Sequence, residues 1–286
     1  MVPVSVVLPT RDRLTSLVVA LEALRHQRRA EPFELIVVDD GSADGTGELL
    51  ARLARAGAIV HVAGPGRGAA AARNAGIARA RGRIIACTDD DCEVPPEWIA
   101  RLRDRLIETG AAAVGGPVAA AAGASLPARV SQAITNGIAS VLNRADPDTA
   151  FLTSNNVAYR ADALRAAGLF DEGFSGAGGE ERDLHARLRA GGARLVYAPE
   201  VVVTHSPPMG WTGFARQQAA YGRGARRYYR RHDGPGRPYP MSVGQYLRAF
   251  AAAGRELRPA DRAALALGLP LSQAAVVWGY LRASWP

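Results

Sequence analysis

Three carboxylates in a row, Asp89-Asp90-Asp91, close an apolar run at residues 83–87. In an extended chain alternate side chains point the same way, so Asp89 and Asp91 can face one site while Asp90 turns elsewhere. Two carboxylates on one side of a loop suit a hard divalent cation such as Mg2+ or Mn2+. Such an ion takes few protein ligands and completes its shell with water and substrate phosphate, where it neutralises charge on a departing diphosphate. The plain alternative is a solvated acidic loop. A second acidic cluster, Glu180-Glu181-Arg182-Asp183, follows Gly178-Gly179. A helix start accounts for one or two of its acids through the dipole, and chemistry for the rest.

The surrounding pattern says what must position these groups. Residues 4–8 and 33–38 are largely apolar runs, as in strands covered on both faces. Pro9-Thr10 is expected to end the first, and Asp39-Asp40-Gly41-Ser42 the second. Leu14, Leu17, Val18, Leu21 and Leu24 recur at helical spacing between them. A helix over 48–56, a strand over 58–62, a glycine turn at 64–68, a helix over 69–81 and a strand over 83–87 complete the alternation. Pro95-Pro96 then starts another helix. This βα order predicts an α/β fold with a mostly parallel sheet flanked by helices, and ligands at the carboxyl ends of the strands. Thr10-Arg11-Asp12, Asp39-Asp40 and the aspartate triplet all lie at such ends. Carboxylates converging there repel one another unless a cation or ligand donors offset the repulsion.

Beyond residue 110 the pattern changes. Strands are expected at 111–118 and 153–160, helices at 126–142 and 181–190, and an extended segment at 194–205. The glycine-rich stretch 170–180 is expected to be mobile. Three parts result: 1–110 as a nucleotide-binding half, 111–208 as a second half of the same domain, and 209–286 as a basic helical extension. Residues 263–281 are apolar but broken by Pro270, Ser272 and Gln273, which is short of a clear membrane span and reads as a buried or surface-lying helix.

The chain has 286 residues, 48% of them apolar, and a net charge of +8 carried by arginine without lysine. Guanidinium grips phosphate in a two-pronged way, so a phosphate-bearing partner fits. Two cysteines, Cys87 and Cys92, are too few for a disulfide framework and point to a reducing cytoplasm. The first residues read as a strand, with no signal-peptide pattern.

In order and spacing, these motifs resemble a family 2 glycosyltransferase of the GT-A fold. The resemblance spans residues 4 to about 205. It rests on 4–12, on Glu34–Ser42 with Asp44-Gly45-Thr46, on Ala72-Arg73-Asn74-Ala75-Gly76 and on the aspartate triplet. It implies an inverting enzyme that takes a sugar from a nucleotide-diphosphate donor, a UDP-sugar first, with Mn2+ or Mg2+ as cofactor. Pro9, Thr10, Arg11 and Asp40 would line the nucleobase pocket, with Asp39 beside it. Arg73 would face the base or ribose and Asp89 the ribose; Asp90 belongs to the same donor-side set. Asp91 would hold the metal, with Asp89 as a second ligand and His205 as a third. The pair Asn155-Asn156 would lie by the donor sugar or acceptor. Glu181 takes the place of the family's aspartate base, with Glu180 and Asp183 as alternatives. The glutamate is a departure, one methylene longer. The acceptor would be a hydroxyl of a glycan or a lipid-linked sugar.

Two rival chemistries are weighed against this. Gly64, Gly66 and Ala69 fit the dinucleotide fingerprint of an NAD(P)-binding oxidoreductase, with Asp89 some twenty residues on. That reading leaves both acidic clusters without a task, and its loop sits on the third strand instead of the first. The stretch with Arg216, Arg223, Arg226, Arg227, Arg230 and Arg231, interleaved with Tyr221, Tyr228 and Tyr229, offers a nucleic-acid surface. An anionic membrane surface is preferred for it, which makes the expected location cytoplasmic and peripheral at the inner membrane face; no nucleic acid is expected.

Overall fold

Strand β1 (Val4–Thr10) is buried along its whole length. It runs on through Pro9, past the expected stop. In a parallel ladder the odd residues here face β4 (Ile84–Cys87), which pairs only with Val4–Val7, so the missing Pro9 N–H costs no ladder bond. On its other edge β1 pairs in parallel with β2 (Glu34–Asp39), and β2 with β3 (Val60–Ala63). Between these strands run helices α1 (Leu14–Arg25), α2 (Thr46–Arg55) and α3 (Ala69–Arg79). The short β5 (Cys92–Glu93) and helix α4 (Trp98–Thr109) follow. The computed structural model describes residues 3–30, 32–145, 151–174, 178–232 and 242–283. Residues 175–177 of the stretch expected to be mobile lie outside them.

The second half adds β6 (Ala113–Gly115), β7 (Val118–Ala120), α5 (Leu126–Ala145), β8 (Val157–Arg160), α6 (Ala161–Ala166), α7 (Glu180–Ala190), β9 (Leu195–Tyr197) and β10 (Val203–His205). The main sheet has the order β3-β2-β1-β4-β8-β6-β9, with β8 antiparallel to both its neighbours. Both halves therefore share one sheet across residue 110. A small sheet, β5-β10-β7, stands beside it. The single strand expected over 111–118 is thus two, broken at Gly116-Pro117 and divided between the sheets. The extended segment 194–205 is likewise split into β9 and β10. Of 153–160 only the last four residues are strand, because Thr153–Asn156 turn to reach it, with Asn156 N–H donating to Thr153 O.

Alternation along β1 divides the core. Val4, Val6 and Leu8 pack with Leu17, Leu24 and Trp98 on one face; Val7 packs with Ile77, Tyr159 and Leu184 on the other. Val18, expected on the apolar stripe of α1, is 50% exposed; the buried line is Leu17, Ala20 and Leu24.

Three helices complete the chain: α8 (Trp211–His232), α9 (Val243–Glu256) and α10 (Arg262–Arg282). With α5 they close a third core around Val130, Ile134, Phe214, Leu257 and Leu265. Helices α8 and α10 meet at backbone contact distance. A methyl added at Gly222 would lie 2.0 Å from Val276 O, and one at Gly279 would lie 1.9 Å from Ala219 O. Helix α10 continues through Pro270, with Leu265, Ser272 and Val276 among its buried residues.

Candidate active site

The carboxyl ends of β1, β2 and β4 open into a cavity of about 410 Å3. Pro9, Thr10, Arg11, Asp40, Arg73, Asp89, Asp90, Asp91, Asn155, Glu180, Glu181 and His205 all line it. Asp39, Asn156 and Asp183 do not, and each has a structural task instead. Asp39 accepts the Ser42 N–H at 2.8 Å and shapes the loop behind the cavity. Asn156 is fully buried; it receives Trp98 Nε1–H and donates to Pro117 O and Val201 O. Asp183 is 0% exposed and held by Arg187, Arg231 and His232. A base role for Asp183 and a ligand role for Asn156 do not fit these surroundings.

The aspartate triplet is a turn, not an extended run: Cys92 N–H donates to Asp89 O at 3.1 Å. Asp89 therefore turns to one arginine, while Asp90 and Asp91 share another. Asp89 meets Arg73 Nη2 at 2.6 Å. Asp90 is buried, receives Thr10 Oγ1–H at 2.7 Å, and faces Arg13 Nη1 at 3.2 Å. Burial pushes the Asp90 carboxyl up to about 6, against the pull of Arg13 and the Thr10 hydrogen bond. Asp91 lies 3.2 Å from His205 Nε2 and also bonds Arg13. Burial raises Asp91, but His205 and Arg13 outweigh it and hold the carboxyl below its usual range. The repulsion expected among these acids is thus relieved in part by two arginines, of which Arg13 was not foreseen.

His205 reaches Asp91 because β10 pairs with β5 immediately after the triplet, His205 opposite Cys92. Its Nδ1 lies 3.1 Å from Gln132 Oε1 on α5, which fixes the ring. Asp91, Cys92 and His205 bring ligand atoms within 4.8 Å of one another. Burial keeps the Cys92 thiol protonated, a poor ligand. An aspartate oxygen and an imidazole nitrogen 3.2 Å apart, open to a cavity, fit one divalent ion that keeps positions for water and phosphate. Asp89, engaged by Arg73, stands outside that set.

Arg73 is buried between Asp89 and Glu180, whose Oε1 lies 3.4 Å from Nη1. Burial opposes its charge, yet the two carboxylates more than restore it. Glu180 Oε2 has no hydrogen-bond partner among the described residues. Burial first, then the neighbouring Glu181, pushes Glu180 up to about 8 against the pull of Arg73. Glu181 is half-buried at the cavity wall and makes no ion pair among the described residues.

The rival fingerprint fails on its amides. Gly66 N–H and Gly68 N–H donate to the two oxygens of Asp40 at 2.7 and 2.8 Å, so they are not free to cradle a pyrophosphate. The stacking surface fails too: Tyr229 is buried, Tyr221 lines the cavity, and Tyr228 is covered by Arg182 at 4.5 Å. Besides Arg13, the wall residues Ala128, Ser131, Gln132 and Thr135 of α5 were not singled out. Their spacing of three and four along a helix is the signal that marks them.

The chain is similar to several known proteins. Glycosyltransferase AglE of Haloferax volcanii is 33% identical over 118 residues, covering 40% of this chain and 39% of that protein. The pre-mycofactocin glycosyltransferase of Mycobacterium tuberculosis is 28% identical over 85% of this chain and 51% of its own. The chain spans about half the length, or less, of these curated relatives. Among solved structures, the mannosyltransferase PcManGT of Pyrobaculum calidifontis, in complex with GDP-Man and Mn2+, matches with a TM-score of 0.66. It is 20% identical, over 100% of this chain and 88% of that one, and shares the GT-A fold. The profile of glycosyl transferase family 2 matches residues 5–168 of the 286. With that match over more than half its length, the chain belongs to glycosyl transferase family 2.

Proposed function

We propose that the protein transfers a sugar, with inversion, from a nucleotide-diphosphate donor to an acceptor hydroxyl. The observation that carries this is the pairing of Asp91 with His205 at one wall of the cavity and Glu181 at another. The nucleobase and ribose lie at the β1 and β2 ends, by Pro9, Thr10, Arg11, Asp40 and Asp89. Asp91 and His205 hold the divalent ion, Mn2+ or Mg2+, which supplies positive charge for the diphosphate. Arg13 lies beside them and is placed to add a second cation for the same phosphates.

Glu181 is the base. Glu180, pushed up to about 8, already carries the proton that a base must accept, and Asp183 is locked away. The acceptor oxygen forms its bond to the anomeric carbon while the bond from that carbon to the diphosphate oxygen breaks. The electron pair leaves with the diphosphate, and the hydroxyl proton passes to Glu181. One displacement inverts the centre. The donor is read first as a UDP-sugar, with GDP- and dTDP-sugars as alternatives, and the acceptor as a glycan or lipid-linked hydroxyl. The enzyme works at the inner face of a membrane, in the cytoplasm.

Thermal shift with UDP, GDP and dTDP, with and without Mn2+ or Mg2+, tests the donor side. One nucleotide should stabilise the protein only with the ion, and Asp91→Asn should remove that ligand-induced shift, measured against the variant's own unliganded Tm. Metal-independent binding of NADH in place of any nucleotide would overturn the reading.

A further inference from the structure

A second cavity, of about 190 Å3, lies behind the first and shares Thr135, Thr153, Gly178, Glu181 and Tyr221 with it. Glu181 therefore stands at the junction, with the donor cavity on one side. The inner walls are of another kind. Ile134, Ile138 and Leu142 come from one face of α5, Tyr229 from α8, Tyr246 from α9 and Val276 from α10. Several polar side chains there are already engaged: Ser272 Oγ–H donates to Gln218 Oε1 at 2.7 Å, Gln218 Nε2 to Ser131 Oγ at 3.2 Å, Thr135 Oγ1 to Ser131 O at 3.1 Å and Arg182 Nη2 to Tyr229 OH at 3.3 Å. Glu181 and Thr153 Oγ1, at the side shared with the first cavity, make no hydrogen bond among the described residues.

A sugar ring buried in such walls would lose water from its hydroxyls and find few partners, at a cost of about 1–3 kcal/mol for each unpaired group. A compact apolar group loses nothing and gains contact. An apolar cavity of about 150 Å3 holds benzene, so 190 Å3 leaves room for one substituted ring. Aromatic walls favour an aromatic ring, which packs edge to face on tyrosine.

We infer that this inner cavity is an acceptor subsite, and that the acceptor hydroxyl is carried on a compact aromatic group seated among α5, α8 and α10. The inference rests on the transferase reading and names its acceptor class. The aromatic group fills the inner cavity and its hydroxyl projects past Tyr221 to Glu181. There the oxygen bonds to the anomeric carbon, the diphosphate leaves with its electron pair, and the proton goes to the Glu181 carboxylate.

The test is calorimetric titration of the full chain, with metal and its nucleotide present, using 2-phenylethanol against methyl glucoside. Saturable binding of 2-phenylethanol at least tenfold tighter than methyl glucoside is expected. Ile138→Trp and, independently, Leu142→Trp fill the cavity and should weaken 2-phenylethanol at least tenfold while nucleotide binding stays unchanged. Equal affinity for the two probes, or undiminished 2-phenylethanol binding in both variants that still bind nucleotide, overturns the subsite. Failure of every nucleotide to bind the parent chain would sink the transferase reading instead, and the parent's own binding of 2-phenylethanol would still judge the cavity.

Discussion

At the scale of single residues, three neighbouring acids on one helix turn have three different fates. Glu180 is buried beside Arg73, Glu181 faces two cavities, and Asp183 is clamped by two arginines and a histidine. Glu181→Gln should cut transfer by about a hundredfold or more while leaving nucleotide affinity unchanged, since it removes a proton acceptor and no donor contact. Asp183→Asn should instead lower the Tm and spare donor binding; comparing initial rates with melting curves separates the two. Glu180 sets a pH dependence. Its folded value of about 8 lies above the ordinary 4.5, so its contribution to stability is full below 4.5 and is lost as pH rises through 8. The parent Tm should fall across that window, and Glu180→Gln should flatten the fall. The sequence showed that these acids cluster, and the chemistry they could do. It could not rank them, because rank depends on Arg73, Arg231 and His232, which arrive from distant positions. The aspartate triplet misled for a local reason: reading it as extended put Asp89 and Asp91 on one side, whereas the turn sends Asp89 to Arg73 and Asp91 to His205.

Among elements, the β-α alternation of the first half was legible because the strands there are mostly apolar, with Ser5, Glu34 and His61 as exceptions, and are followed by polar or glycine-rich turns. The second half was less so. β6, β7, β9 and β10 have three residues each, too short for a period to show, and their sheets are decided by pairing with distant strands. What places α7 is a glycine contact. Gly178 and Gly179 have φ of +91° and +108°, and a methyl on Gly224 of α8 would lie 1.9 Å from Gly178 O. Gly224→Ala must push α7 off α8 and carry Glu180 and Glu181 with it. A loss of about 1–3 kcal/mol in urea unfolding is expected. Transfer should fall further than nucleotide binding, because the donor side is built on other strands.

For the molecule as a whole, α10 has two faces. Its inner face reaches the second cavity through Val276, whereas Leu267, Leu271, Ala274, Trp278 and Leu281 form an exposed stripe at helical spacing, Leu267 at 75% and Trp278 at 56%. The segment Pro259–Arg282 is long and apolar enough to cross a bilayer by length and composition alone, an 18-residue window within it having mean hydropathy 1.4. Arginines flank it: Arg262 and Arg282 at its ends, the latter stacked 4.3 Å over Trp278. On α8, Arg227 and Arg231 are spent on Asp171, while Arg216, Arg223 and Arg230 stay exposed at seven-residue intervals without a carboxylate partner among the described residues. Apolar stripe and free cations together suit an anionic bilayer surface. Flotation with anionic liposomes should recover the protein, salt should reduce recovery, and Leu271→Asp with Trp278→Asp should abolish it. Equal recovery on neutral vesicles would leave the arginines without that role.

The central sheet is finished out of order. β4 is made early, but its second neighbour is β8, some seventy residues later, running the opposite way. During synthesis the growing chain therefore carries an open seam along Ile84–Cys87, a strand whose last three residues are wholly enclosed in the finished protein. Until the ribosome has released residue 160, that seam can zip to the equivalent strand of another nascent chain. Chains stalled or cut between the two strands are therefore the ones this fold hands to chaperones and proteases.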